Sequence, residues 1–305
     1  MTINTVSREI LERSMGFKVS DGVSSRLQRA SLEYRDLSVE EFNQYVLKYL
    51  KTLDLDLKTA GEHRLGDWES GWGENLKEYK VSKNLAALTP KYHSRSNISK
   101  LDTKMVKVYD REFDFKLHSF FLDSLLDKYS EGFDHIYEFG CGTGYHLFRL
   151  SDRVAGKKLT GLDWSKSSQD IFDEVSKQKN PNTLEGLNFD YFKPDYNINV
   201  RDSFVYTVAS LEQIGSRHDL FIDYLLHQKP ALCMHMEPIS EVFDENNILD
   251  YLNMKYFSKR GYLKGFLTKL KSLEKEGKVS IINERRLNYG SEFVEGHTLV
   301  IWKPL

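Results

Sequence analysis

The chain has 305 residues, 40% of them hydrophobic and 13% aromatic, and its 43 Lys and Arg against 45 Asp and Glu leave a formal charge of −2. A chain of this length and composition buries a large core without disulfides or metals, which excludes disorder as its main state. The balanced charge gives no global field for holding nucleic acid by counterion release, and no run of about 18 apolar residues is present to form a transmembrane helix.

The first residues, MTINTVSREILERSMGF, carry Arg8, Glu9, Glu12 and Arg13 where a secretory signal would be apolar, so a cytoplasmic location is expected. Cys141 and Cys233 are the only cysteines, and no CxxC occurs. Two thiols cannot make a four-ligand zinc site, so two reduced cysteines and no metal are expected.

Texture changes near residue 133. Ser38 and Glu41 have capping-box spacing. Phe42, Tyr45, Val46, Tyr49 and Leu50 follow at helical intervals, which predicts a helix over about 38–52. Residues 61–75, GEHRLGDWESGWGEN, hold four glycines and read as an ordered loop. A long helix is predicted over about 101–129, with Phe113, Leu117, Phe120, Phe121 and Leu125 on one face. Residues 1–130 therefore read as an N-terminal helical or lid region with a Gly/Trp loop, and 131–305 as a second unit.

The second unit alternates strands and helices. Strands are predicted at 135–139, 157–163, 186–192, 203–210 and 231–237. Helices are predicted near 145–154, 166–178 and 217–228, with a helical insert over about 240–276. Two final strands, 279–287 and 297–303, are joined by a loop too short for a crossover helix and read as an antiparallel pair. The fold class is α/β, with a mostly parallel sheet.

Glu138, Gly140, Gly142 and Gly144 form EFGCGTG between the first strand and its helix. Such glycines let backbone N–H groups approach a ligand at a helix N-terminus. A dinucleotide fingerprint would need glycine where Tyr145 stands, and Glu138 would repel a pyrophosphate but accept from an ammonium. Asp163 ends the second strand, 25 positions after Glu138, where an acidic residue can take both hydroxyls of a ribose. Asp190 and Tyr191, at the third strand's end, suit an adenine amino group and ring. Plainer roles stay open: a tight strand-to-helix turn for the glycines, a helix N-cap for Asp163, a loop cap for Asp190.

These segments resemble the class I S-adenosylmethionine-dependent methyltransferases, over roughly residues 133–303. EFGCGTG is similar to their first motif, GLDWS (161–165) to the second, NFDY (188–191) to the third and TVASLEQIG (207–215) to the fourth. The resemblance implies a Rossmann-like seven-stranded sheet of order 3-2-1-4-5-7-6 with strand 7 antiparallel, and S-adenosyl-L-methionine as cofactor. It implies that Glu138, Gly140, Gly142 and Gly144 hold the methionine part, Asp163 the ribose, and Asp190 and Tyr191 the adenine. Glu212-Gln213 stands where that fourth motif often has Glu-His.

Groups for the methyl acceptor are sought beyond the carboxyl ends of the strands. Glu212 follows the fourth strand. His235 and Glu237, two apart on the fifth, share a face and are candidates for base and orienter. An internal strand histidine is the plain alternative for His235. The segment with Trp68, Glu69, Trp72, Glu74 and Asn75 offers aromatic faces and carboxylates for a sugar or amine, or merely pins the helical part to the sheet. Arg260 and Tyr262 in the insert are further substrate candidates, while His297 reads as structural. GDWESGWGEN, HMEPI and KRGYLKGFLTKL are also similar to methyltransferases encoded among bacterial surface-polysaccharide genes, which implies a carbohydrate-linked acceptor. The leading expectation is transfer of a methyl group to O or N of a small polar substrate. Methylation of a small amine, protein or nucleic acid, a nicotinamide-dependent oxidoreductase, and a non-catalytic S-adenosylmethionine-binding module are the rivals.

Overall fold

The structure is a computed structural model, and it describes residues 2–91, 96–179, 183–295 and 297–305. Its main sheet has seven strands: His135–Phe139, Lys158–Asp163, Leu184–Asn188, Phe204–Val208, Leu232–Glu237, Val279–Arg286 and Thr298–Pro304. Numbered along the chain, they lie in the order 3-2-1-4-5-7-6. The first five pair in parallel, and the last runs antiparallel to both neighbours. This is the Rossmann-like arrangement expected. Helices Tyr145–Ser151, Lys166–Ser176 and Asp219–Gln228 supply crossovers, and Ile248–Arg260 and Phe266–Lys275 form the insert.

Alternation along the strands builds the two faces. Ile136, Tyr206, Met234, Met236 and Ile301 join one buried cluster. Tyr137, Phe139, Val205, Cys233 and Trp302 join the other. The third strand is Leu184–Asn188 rather than 186–192, because the chain turns over residues 190–193, where Lys193 N–H donates to Asp190 O at 3.0 Å. Asp190 and Tyr191 therefore sit on the loop beyond the strand end.

The first 130 residues depart from expectation in both directions. The helix begins at Phe113, not 101. Ile98–Leu101 and Lys104–Val108 instead form a β-hairpin, turned at Asp102 in the left-handed region (φ 58°). The hairpin belongs to a second sheet with Asn4–Thr5, Glu33–Asp36 and Tyr289–Gly290. The glycine-rich segment, expected as a loop, is instead a helix, Leu65–Ser82, preceded by a turn at Glu62–Arg64. Gly66, Gly71 and Gly73 cost such a helix about 1 kcal/mol each. Burial of Trp72, Leu76 and Tyr79 along one face outweighs this, at roughly 1.5–3 kcal/mol per large apolar side chain. Gly73 also lets the helix approach Lys166–Ser176: a Cβ there would stand 3.3 Å from Ser167 Oγ. The helix Val39–Asp54 has both capping-box bonds, Glu41 N–H to Ser38 Oγ (3.1 Å) and Ser38 N–H to Glu41 Oε2 (2.9 Å).

The second sheet and the insert cap the carboxyl edge of the main sheet. Tyr45 and Tyr49 pack with Leu249, Leu252, Tyr256 and Phe257. A buried ionic cluster adds to this: Lys100 donates to Glu295 and lies 3.8 Å from Asp250, while Arg286 bridges Asp250 and Glu295. No helix among the described residues is long and apolar enough to cross a membrane.

Candidate active site

A cavity of about 450 Å³ lies between this cap and the carboxyl ends of the strands, within the usual size of small-molecule sites. Its floor is the first strand's end and the glycine turn. Glu138, Gly140, Gly142, Asp163 and Tyr191 all line it.

The turn leaves no room for side chains. Gly140 (φ 68°) faces Ser210, whose Cβ would be 2.3 Å from an added Cβ. At Gly142 (φ 54°) the added atom would meet Trp72 at 2.8 Å. Gly144 does not line the cavity: it stands behind the turn and makes space for Phe172 and Phe148. Its role is packing, a correction to the expected ligand contact. Asp163 fixes the turn, accepting from Gly142 N–H (3.0 Å) and Ser165 N–H (2.9 Å). Tyr206 OH donates to Glu138 Oε2 at 3.0 Å. Burial pushes the Glu138 carboxyl up to about 8 and Asp163 up to about 6.

Asp190 does not line the cavity. Its Oδ1 accepts from Phe192 N–H at 2.8 Å, which makes it a loop cap. Tyr191 OH shares a hydrogen bond with Ser210 Oγ (2.9 Å), beside Gly140. Trp164, next to Asp163, and Phe192 supply the flat apolar walls nearby, with ring centres 6.0 Å apart.

The fifth strand's candidates are below the cavity, not in it. His235 is fully buried against Phe266 and Trp302, and Thr207 Oγ1 shares a hydrogen bond with its Nδ1 at 2.9 Å. Burial pushes its pKa down to about 3, so it is a neutral core histidine. Glu237 on the same face is also fully buried and accepts from Ser210 N–H at 3.1 Å. Both side chains follow the strand's inward pleat, which points beneath the cavity. Glu212 does line the cavity. Burial, with Glu237 nearby, pushes it up to about 8.

Of the Gly/Trp segment, Trp68 and Trp72 reach the cavity as a stacked pair (5.4 Å), with Arg64 over Trp68 at 5.2 Å. Glu74 does not: on the helix's exposed side, it lies 3.5 Å from Lys91. Glu69 accepts from Ser167 N–H at 3.0 Å, and Asn75 donates to Ala87 O and Thr89 O, so both are structural. Arg260, Tyr256 and Tyr262 form the insert's side of the wall.

The structure also brings in residues that sequence reasoning missed or set aside. Asp114, His118, His146, Tyr289 and His297 close another part of the cavity. His118 Nδ1 and Tyr289 OH are 2.9 Å apart, and the His118 ring centre lies 5.1 Å from His297 and 5.6 Å from His146. Among the described residues neither oxygen of Asp114 has a partner in good hydrogen-bond geometry, and burial, against a weaker pull from Ser99, pushes its carboxyl up to about 7. The available signal was Asp114 and His118 at i, i+4 on a helix whose surroundings are apolar. His146 and His297 come from separate elements and gave none. Among the described residues, no three His, Cys, Asp or Glu side chains are placed to hold a metal ion.

No family model and no curated protein sequence matches the chain. Solved structures do match. One is a SAM-dependent methyltransferase from Aquifex aeolicus: 14% identity over 60% of this chain and 88% of that one, TM-score 0.42. Another is magnesium protoporphyrin IX methyltransferase from Synechocystis with bound SAH: 14% identity, 62% and 85% covered, TM-score 0.46. A third is the [4+2]-cyclase SpnF: 14% identity, 61% and 80% covered, TM-score 0.45. These values are too low to argue from, so the reading of the site rests on its own residues.

Proposed function

We propose that the chain is a methyltransferase that uses S-adenosyl-L-methionine and acts on an O or N atom of a small polar acceptor. One observation carries the reading: a side-chain-free glycine turn opens into a cavity between two buried carboxylates on adjacent strand ends, Glu138 and Asp163. A ligand with an ammonium group and a ribose diol fits that pair, because both groups donate and both carboxylates are raised by burial. Ser210 and Trp72 fill the positions a Cβ would take at Gly140 and Gly142, so the turn presents bare backbone to the cavity that both glycines line.

When bound, S-adenosylmethionine supplies a methyl group already activated on a sulfonium. The chain's task is then alignment, exclusion of water and proton removal. Glu138 would bind the ammonium, Asp163 the ribose hydroxyls, and Trp164 and Phe192 the base. The cap excludes water through the buried cluster around Tyr49 and Tyr256. Glu212 and Asp114 are the carboxyls on the cavity wall that can receive the acceptor's proton, both held near neutrality, where a general base works best. The narrower reading, a carbohydrate-linked acceptor, is supported by the Trp68–Trp72 pair on the cavity wall.

Calorimetric titration with S-adenosylmethionine, S-adenosylhomocysteine and NAD tests the proposal. The first two are expected to bind and NAD not. Asp163→Ala is expected to weaken both by about 10- to 100-fold, the size of hydrogen bonds to a charged group, while cooperative thermal unfolding persists. Binding of NAD alone, or unchanged affinity in the variant, defeats it. Methyl label transferred into nucleotide-sugar or polysaccharide fractions of a cell extract would support the narrower reading; label only in other fractions would remove it.

A further inference from the structure

We infer that the cavity contains an anion subsite built by Arg64 and Arg260, so the acceptor is a small molecule bearing a carboxylate or phosphate group. The inference rests on the methyltransferase reading for the word acceptor, and on the arginines alone for the anion.

Arg64 comes from the turn before the helix Leu65–Ser82, and Arg260 is the last residue of Ile248–Arg260. The two segments are tied by Ala60 N–H donating to Arg260 O at 2.7 Å. Both guanidinium groups line the cavity. Each is oriented by one bond and by aromatic faces. Arg64 Nε donates to Asp67 (2.6 Å) with the group over Trp68. Arg260 Nη1 donates to Tyr256 OH (3.0 Å), with the group 5.0 Å from the Tyr262 ring centre.

Each also keeps a buried donor without a partner among the described residues, Nη1 in Arg64 and Nε in Arg260. Leaving a charged donor unsatisfied is costly, so such groups mark a place where a ligand completes the bonding. An internal partner is at hand and unused. Glu212 is close enough for both arginines to pull on its titration, yet it accepts from Gln213 Nε2 (2.9 Å) and from neither guanidinium among the described residues. Among the described residues, Asp67 is the one carboxylate bonded to either arginine. Planar guanidinium forks match carboxylate and phosphate oxygens in pairs, which a lysine cannot do.

The test is calorimetric titration of inorganic phosphate, and separately malonate, into protein saturated with S-adenosylhomocysteine at low ionic strength. Saturation removes the donor's own carboxylate site from competition. At least one anion is expected to bind saturably, and the preferred one names the acceptor's group. Arg64→Gln and Arg260→Gln are each expected to weaken it about 10-fold or more, and Arg260→Lys to recover part of the loss. Unchanged S-adenosylhomocysteine affinity in the variants shows that they are folded. Absence of saturable binding by either anion, or equal binding by wild type and both Gln variants, overturns the subsite. Should S-adenosylhomocysteine itself fail to bind, the methyltransferase reading falls. The same titrations on the ligand-free protein then decide the subsite through its dependence on the arginines.

Discussion

If Glu138 holds the donor's ammonium as proposed, donor binding is a proton-coupled event. Its carboxyl is fully buried, titrates near about 8 and has Tyr206 OH as its hydrogen-bond donor. Holding an ammonium requires the ionised carboxylate. The α-amino group of S-adenosylhomocysteine, beside its own free carboxylate, stays an ammonium across this range. The bound pair keeps one proton between its two members, whereas the free partners hold about two at pH 6.5 and about one and a half at pH 8. Binding therefore releases about one proton at pH 6.5 and about half of one at pH 8, and affinity is expected to fall roughly 15-fold from pH 8 to pH 6.5, about 1.6 kcal/mol. Calorimetry in two buffers of different ionisation enthalpy measures the released proton directly. In Glu138→Gln the slope between pH 6.5 and 7.5 is expected to vanish and the affinity at pH 8 to drop. A flat wild-type profile, tighter binding at pH 6.5, or the same slope in the Gln variant would refute the assignment. The ligand-free protein carries the matching signature. Glu138, Asp163, Glu237, Glu212 and Asp114 are all raised in the folded state. Their stabilising contribution is complete below the unfolded carboxylate values and is lost as pH rises through about 6 to 8. The melting temperature is expected to fall over that interval, and the increment from S-adenosylhomocysteine to grow.

Two further perturbations probe how the site is held. Gly142→Ala places a methyl 2.8 Å from Trp72 on a left-handed residue; an ordinary side chain costs about 1–2 kcal/mol there. The expected result is a lower melting temperature and weaker S-adenosylhomocysteine binding, whereas Gly156→Ala, left-handed but with open space around it, should lose stability alone. Equal effects at the two positions would deny the contact with Trp72. Lys100→Met leaves Asp250 and Glu295 sharing Arg286, and breaking a buried pair this way costs about 3–5 kcal/mol. Thermal unfolding checks it, and a change within about 1 kcal/mol would mean the cluster contributes no net stability.

The main sheet was legible because its signals are local. Each strand is a short apolar run, and EFGCGTG and GLDWS put the turn and the second carboxylate within 28 residues. The antiparallel last strand followed from a connection too short for a helix. The cap was hidden for the opposite reason. Its hairpin pairs with Tyr289–Gly290 from the far side of the main sheet, and no local pattern announces such a pairing. The helix through Trp68 and Trp72 was obscured by its three glycines, whose propensity cost is overridden by contacts with the turn and with Lys166–Ser176. His235 misled because period-two alternation tells which residues share a face but not which face meets the cavity. The His118, His146 and His297 grouping joins the helix Phe113–Tyr129, a crossover helix and the residue just before the last strand, so it exists only in three dimensions.

The cap sheet also bears on the order of events during synthesis. Ser99 Oγ donates to Gly290 O across 191 positions of sequence, and the Tyr289–Gly290 strand is the edge of a sheet that otherwise belongs to the first 108 residues. As the chain leaves the ribosome, the hairpin at Ile98–Val108 emerges long before that strand and waits with an open edge. Closure of so distant a pairing is slow, because the loop entropy is lost before the contacts are gained. The parallel strands and their glycine turn emerge in the interval. The cavity's floor can then be in place before its roof, and any ligand that fits the finished cavity would favour the closed form by mass action.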